Sequence, residues 1–542
     1  MSTIELSSDS DDQILPELRH PYLQKFDRWC DSVGDRINPI LVKETRQALQ
    51  SRQFLLTFSL ILLAAVGWTI GGSLSLMPNI YYQPSAPRMM LGFYLVLALP
   101  MILVVPVAAF RSMESEMEDG TMELLSISVL SPWQIVLGKL GSALLQMMLY
   151  LLILFPCMAY AYTLRGVEMS LVMGLISSLF LGALQLTVLG IFLATVARSR
   201  ALRTLNLLAL VATVFGSAWG FSLAAFELLF YGFNTSAEEI AFIAYTSIGG
   251  VVVISILLLT VAAALLKPES ENRSTSIRLA LLVMTGFVLS AMVIGVYNFT
   301  SDLDVPMVSY VSGTLFLTVL WTIASSMIVA EGNHMTARIR RELPSSFAGR
   351  LCLTWLTPGP TSGLVFVTSV IWLLAGIHYL GLSWIEENVR GLSMGGSASW
   401  MIARISLLVP SYIICGLVLS RGLMHLIRLS HNPRPIFGIA MLAIVAIFSS
   451  LIPYSMQLHF NEYRQINYDA TWQKSNWIFT MMYADNERLV TSDVILSITA
   501  AAVSGTIIAW AAAARLTRPG KIATPENVLK AQKLRAQDLV VA

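Results

Sequence analysis

Between Arg111 and Leu140 the chain reads RSMESEMEDGTMELLSISVLSPWQIVLGKL, and Glu114, Glu116, Glu118, Asp119 and Glu123 place five carboxylates within ten positions. Carboxylates at that density offer charge to a protein partner rather than to anionic lipid, unless they are simply a solvated acidic loop. Gly120 and Thr121 can end one helix and cap the next, and Glu123 then sits at the positive helix N-terminus. Met122, Leu125 and Val129 recur at helical spacing, with Leu124 between them, and Ser131-Pro132 is expected to stop the segment. The pattern predicts a short helix along a membrane surface, presenting an apolar knob to a groove in a partner.

A second segment, NPILVKETRQALQSRQ, runs from Asn38 to Gln53. Asn38 suits an N-cap, and Pro39 suits the first helical position, where an N–H is not needed. Leu41, Thr45, Ala48 and Leu49 share one face of the helix, with Lys43, Arg46 and Gln50 opposite. This amphipathic helix can lie in a headgroup layer, its basic face matched to anionic lipid, or it can be merely the basic flank of a span.

Several other chemistries find no foothold. No GxxxxGK[ST] phosphate loop occurs, so the chain is not expected to hydrolyse ATP, and GxSxG, HExxH and paired CxxC motifs are absent. A loop at 456–492 holds His459, Glu462 and Asp469 among many aromatics, which reads as a folded interfacial cap rather than a metal site. Ionisable groups inside apolar runs often mark transport pathways. Two stand out: Glu227, facing either a translocation cleft or the headgroups, and Arg404, which can snorkel.

The elements that carry these segments follow from charge spacing. Of 542 residues, 56% are hydrophobic and 13% charged, and the charges cluster between long uncharged runs. About 20 apolar residues in a helix cross roughly 30 Å of hydrocarbon. Spans are expected at 54–74, 89–110, 136–162, 169–197, 204–231, 240–266, 279–299, 306–330, 363–382, 400–420, 436–455 and 493–514. The fold class is therefore all-α and polytopic, with twelve transmembrane helices in two six-helix blocks. With the N-terminus inside, 28 of the 35 Lys and Arg residues fall in cytoplasmic segments, so both termini are expected in the cytoplasm. Cys30, Cys157, Cys352 and Cys415 avoid the outer loops, so no disulfide framework is expected. The acidic start of residues 1–37 has no apolar h-region and does not read as a signal peptide.

Residues 1–37 form a polar segment, 38–266 a first membrane block, 267–278 a linker, 279–514 a second block and 515–542 a basic tail. One internal echo links the blocks. Gly120-TMELLSISVLS-Pro132 and Gly349-RLCLTWLTPG-Pro360 both join a second span to a third. A parallel duplication would produce this, as would chance similarity within an unrelated membrane extension.

Together the two cytoplasmic segments resemble the ABC-2 type permease family. The matching positions are Pro39, Lys43, Glu44 and Arg46, then Glu118, Gly120, Thr121, Glu123, Leu124 and Leu125, then Ser131, Pro132, Gly138 and Lys139. The resemblance covers residues 38–266 and implies an interfacial connecting helix, and a coupling helix within the loop 111–135 that seats on a separate ATP-hydrolysing subunit. ATP and Mg would bind that partner, with no cofactor in this chain. The chain departs from the family in length, because a family permease has about six spans and dimerises. One chain forming a whole pathway and two chains forming a homodimer both fit. The expectation is a non-enzymatic permease in the cell membrane, with exporter favoured by the resemblance and with no nucleic-acid partner. A secondary transporter and a membrane-embedded enzyme or scaffold are the alternatives.

Overall fold

A computed structural model of the chain describes residues 38–118, 130–197, 199–232, 236–268, 271–299, 304–331, 354–388, 396–427, 435–463, 468–484, 486, 488–516, 526 and 530. Among these residues there is no strand, and twelve helices are long and apolar enough to cross a membrane. The chain is an all-α, multi-pass membrane protein.

A short helix, α1 (Pro39–Gln50), precedes the first six spans: α2 (Arg52–Leu76), α3 (Ala86–Glu118), α4 (Pro132–Thr163), α5 (Met169–Val196), α6 (Arg200–Tyr231) and α7 (Ala237–Leu266). The second six are α8 (Ser274–Asn298), α9 (Asp304–Val329), α10 (Pro360–Asn388), α11 (Gly396–Ile427), α12 (Phe437–Phe460) and, after short helices α13 (Ala470–Gln473) and α14 (Trp477–Met482), α15 (Ser492–Leu516). Each expected span coincides with one of these helices. The helices outrun the apolar runs that announced them, because a helix need not end where the hydrocarbon does. Thus α3 continues through Glu114, Glu116 and Glu118. The stretch between blocks is shorter than 267–278, since α8 already begins at Ser274.

By internal contacts the chain divides into two units, Met1–Asn234 with Leu258–Leu266, and Thr235–Leu257 with Lys267–Ala542. Helix α7 is thus shared, its last nine residues belonging to the first unit. At the centre of the first unit is α3, whose Phe93, Tyr94, Ile102, Phe110 and Met113 are enclosed. Gly190 of α5 lets the two helices approach, because a Cβ there would stand 2.8 Å from the Pro106 carbonyl oxygen. Pro100 opens a π-helical stretch, Leu99–Val104, within α3. Proline removes a backbone donor, and such wider turns absorb the disruption.

Each unit has the same internal neighbour scheme. In both, consecutive spans from first to fifth pack pairwise, and the second also meets the fourth and fifth. The last span packs on the third and fourth: through Leu259, Ala262 and Ala263 in the first unit, and through α15 on α10 and α11 in the second. This shared scheme is what a parallel duplication would leave behind.

Candidate functional site

The two motif segments meet at one ion-pair cluster. Helix α1 is capped by Asn38, whose Oδ1 accepts from the Ile40 N–H at 3.1 Å, while its Nδ2 donates to the Gln134 carbonyl at 2.5 Å. One side chain thereby both starts α1 and ties it to the first turn of α4. That turn is itself closed by a capping box, with Ser131 Oγ accepting from the Gln134 N–H and Gln134 Oε1 accepting from the Ser131 N–H. Pro132 starts α4 at N1, where its missing N–H costs nothing, and the segment it was expected to stop lies outside the described residues.

Two glycines flatten α4 where α1 lies on it. A Cβ on Gly138 would come within 2.8 Å of Ile40 Cγ2, and one on Gly141 within 2.8 Å of Leu41 Cδ1. The expected faces of α1 hold, with Lys43, Arg46, Gln50 and Pro39 exposed and Leu41, Thr45, Ala48 and Leu49 half-buried. The wheel missed that Glu44 is buried together with Ile40.

Glu44 is buried because Lys139 of α4 is there to meet it. The Lys139 side chain is 1% exposed, and its Nζ lies 3.1 Å from Glu44 Oε1 and 3.1 Å from Glu116 Oε2 of α3. Lys139 Nζ also donates to Ser112 Oγ at 2.8 Å and to the Ser112 carbonyl at 3.2 Å. Ser112 Oγ in turn donates to Glu44 Oε2 at 3.0 Å. Lys43 approaches Glu116 Oε1 at 3.6 Å from the solvent side. Two ammonium groups thus balance two carboxylates, and an ammonium is tolerable at this depth only when it is paired and hydrogen-bonded. Ser112 and Glu116 lie one helical turn apart, so both project from one face of α3. The cluster joins α1, α3 and α4. Next to it, Glu118 Oε1 pairs with Arg203 Nη1 of α6 at 3.3 Å.

Of the residues read from sequence, Asn38, Pro39, Lys43, Glu44, Arg46, Glu114, Glu116, Glu118, Ser131 and Pro132 therefore lie at or beside this junction. Gly120, Thr121, Glu123, Leu124 and Leu125 lie outside the described residues. Glu227 is exposed and belongs elsewhere. It follows Arg203 by 24 residues in α6, about 36 Å along a helix. Ser112 went unnoticed in the sequence, and Lys139 was seen only as a motif position.

The second unit has its own buried ion pair. Arg278 of α8 is fully enclosed, and its Nη2 lies 2.7 Å from Glu331 Oε2. Its Nη1 donates to the carbonyls of Trp355 at 2.5 Å and Thr357 at 2.8 Å. Glu331 also accepts from Ser274 Oγ at 2.5 Å and from the Gly359 N–H at 3.1 Å. This pair clamps the entry to α10 onto the first turns of α8. Neither residue was singled out by sequence. The only signal was an arginine at the edge of an apolar run.

The aromatic cap is folded as expected in its described part. Gln457, Gln473, Asn476 and Thr480 form a buried hydrogen-bonded set beneath Tyr468, Phe479 and Tyr483. Arg404, expected to snorkel, is instead buried and donates to the Ala484 carbonyl at 3.2 Å. A reachable carbonyl in the cap spares it the route to solvent.

Fold and site together define a multi-pass helical membrane protein of the transport type, whose first unit gathers the short amphipathic helix α1, a second span and a third span on one ion-pair cluster. No protein-family model matches this chain, and no curated protein or solved structure matches it either.

Proposed function

We propose that the chain is the membrane-spanning permease of an ABC-type exporter in the cell membrane, driven by a separate ATPase that seats beside the end of α3. The observation that carries this reading is the Glu44–Lys139–Glu116 cluster. It makes one mechanical unit of the two segments that resemble connecting and coupling elements. A push on the segment following Glu118 has a stiff route to α1 and α4, because the ion pairs and the Gly138–Ile40 contact leave little slack. ATP closure of the partner would thereby rock the spans, without nucleotide chemistry in this chain.

The reading is tested by isolating the full chain from its native membranes. An ATPase carrying a phosphate loop is expected to accompany it, and to be lost from Leu125→Glu or Glu118→Lys. Normal association and transport after removal of residues 114–130 would overturn it. Transport that follows an ion gradient without ATP would favour a secondary carrier.

A further inference from the structure

A groove of about 270 Å³ opens at the end of the first unit opposite the ion-pair cluster. Its walls are Trp68 and Leu76 of α2, Arg88, Leu91 and Leu95 of α3, and Phe230 of α6. Trp68 is fixed in place: its Nε1 donates to the Met89 carbonyl at 3.1 Å, and its ring occupies the space a Cβ on Gly92 would need. The walls are otherwise apolar, except for Ser75, whose Oγ donates to the Gly72 carbonyl at 2.8 Å, and the guanidinium at the first turn of α3. Arg88 is exposed, and no carboxylate pairs with it among the described residues.

Three observations place this mouth at headgroup depth and give it a charge preference. Tyr82, Tyr162 and Tyr231 are exposed at this end of α2, α4 and α6, as interfacial aromatics are. The turn carrying Arg165 is joined to the start of α3 by the Ala86 N–H donating to the Arg165 carbonyl at 3.1 Å, so a second exposed arginine borders the rim. The nearby carboxylate of Glu168 accepts from Ser170 Oγ. The positive N-terminus of α3 adds to the attraction for an anion. From Arg88 the groove runs down α3 past Leu91 to Leu95, about 10 Å along the helix.

We propose that this groove seats one bilayer phospholipid with an anionic headgroup. The phosphate lies on the Arg88 guanidinium, which suits a planar two-oxygen contact, and an acyl chain lies along Trp68, Leu91 and Leu95. The site is independent of any ATPase partner.

Native mass spectrometry of the full chain tests this, with phosphatidylglycerol, phosphatidylcholine or glycerol phosphate added to the delipidated protein. One phosphatidylglycerol is expected to remain bound per chain, with phosphatidylcholine held about ten-fold more weakly. Arg88→Gln should lose about ten-fold in affinity, the worth of one charged hydrogen-bonded contact. Leu91→Trp should lose the lipid by filling the groove with Arg88 intact, and an unchanged thermal midpoint shows each variant folded. Equal retention by both variants, or no preference between the lipids, overturns the proposal. So does full competition by glycerol phosphate, which would mean an anion site without a chain. A doubled mass replacing the bound lipid would assign the face to a second copy instead.

Discussion

Lys139 holds the cluster together more than any carboxylate around it, because Glu44, Glu116 and Ser112 all turn toward it. Removing one partner of a buried ion pair leaves the remaining charge without compensation, at a cost of about 3–5 kcal/mol. Lys139→Met is accordingly expected to destabilise the protein by about 3 kcal/mol, read as a lower thermal midpoint of the solubilised chain. Adding Glu44→Gln to that variant should cost less than Glu44→Gln alone, since the isolated carboxylate is then already a liability. Additive losses would mean that the two side chains do not interact. In the second unit, Arg278→Met should cost at least as much, because its guanidinium also satisfies the carbonyls of Trp355 and Thr357. Lys43→Met should change stability little, since that side chain is 63% exposed.

At the level of elements, the question is what holds α1 against α4. A 12-residue helix is marginal alone, so its position depends on the Asn38 cap, the glycine-flattened surface and the ion pairs. Gly138→Leu is expected to lift α1 from α4 while leaving the spans embedded. Cross-linking of cysteines introduced at Ile40 and Leu137 would fall, with the amount of folded protein retained. Sequence made this part of the site only half legible. The amphipathic face of α1 and its Asn38 cap are local patterns within a few residues, and they were readable, whereas the Ser131 capping box of α4 was not read as a cap. The Glu44–Lys139 contact spans 95 positions, and one sequence contains nothing that pairs them. The twelve spans were readable because hydrocarbon imposes length and composition together. Their ends were not, since helices such as α3 continue into polar sequence once caps and ion pairs satisfy them.

For the whole molecule, the excess of Lys and Arg on one side sets an expected orientation that direct labelling can check. In a chain lacking Cys30, Cys157, Cys352 and Cys415, a cysteine at Ser115 should react only from the cytoplasmic side and one at Tyr82 only from the opposite side. The reverse pattern would invert the topology and put the proposed ATPase seat on the wrong face. The shared neighbour scheme of the two units bears on how the twelve spans are organised. Both units secure the approach to their third span with a buried ion pair that includes a glutamate from the end of the second span, Glu116 or Glu331. The cation differs in origin: it comes from the third span in one unit and the first in the other. A duplication whose copies drifted apart while keeping the same joint would leave this pattern.

The π-helical turn in α3 has a role in phasing. A wide turn holds one residue more than the α-helix would, so everything beyond it is rotated by about 100°. Ser112 and Glu116 lie beyond Leu99–Val104, and if the same residues were wound regularly throughout, Arg111 and Ser115 would stand where they now face Lys139. Deleting Leu103 would remove the extra residue together with the wide turn, so Ser112 and Glu116 would keep their places facing Lys139. The deletion should therefore lower the thermal midpoint far less than Lys139→Met, and an equal loss would mean that the wide turn does not set this phase. A wide turn ten residues from the junction acts like the offset tooth of a gear, deciding which side chains mesh.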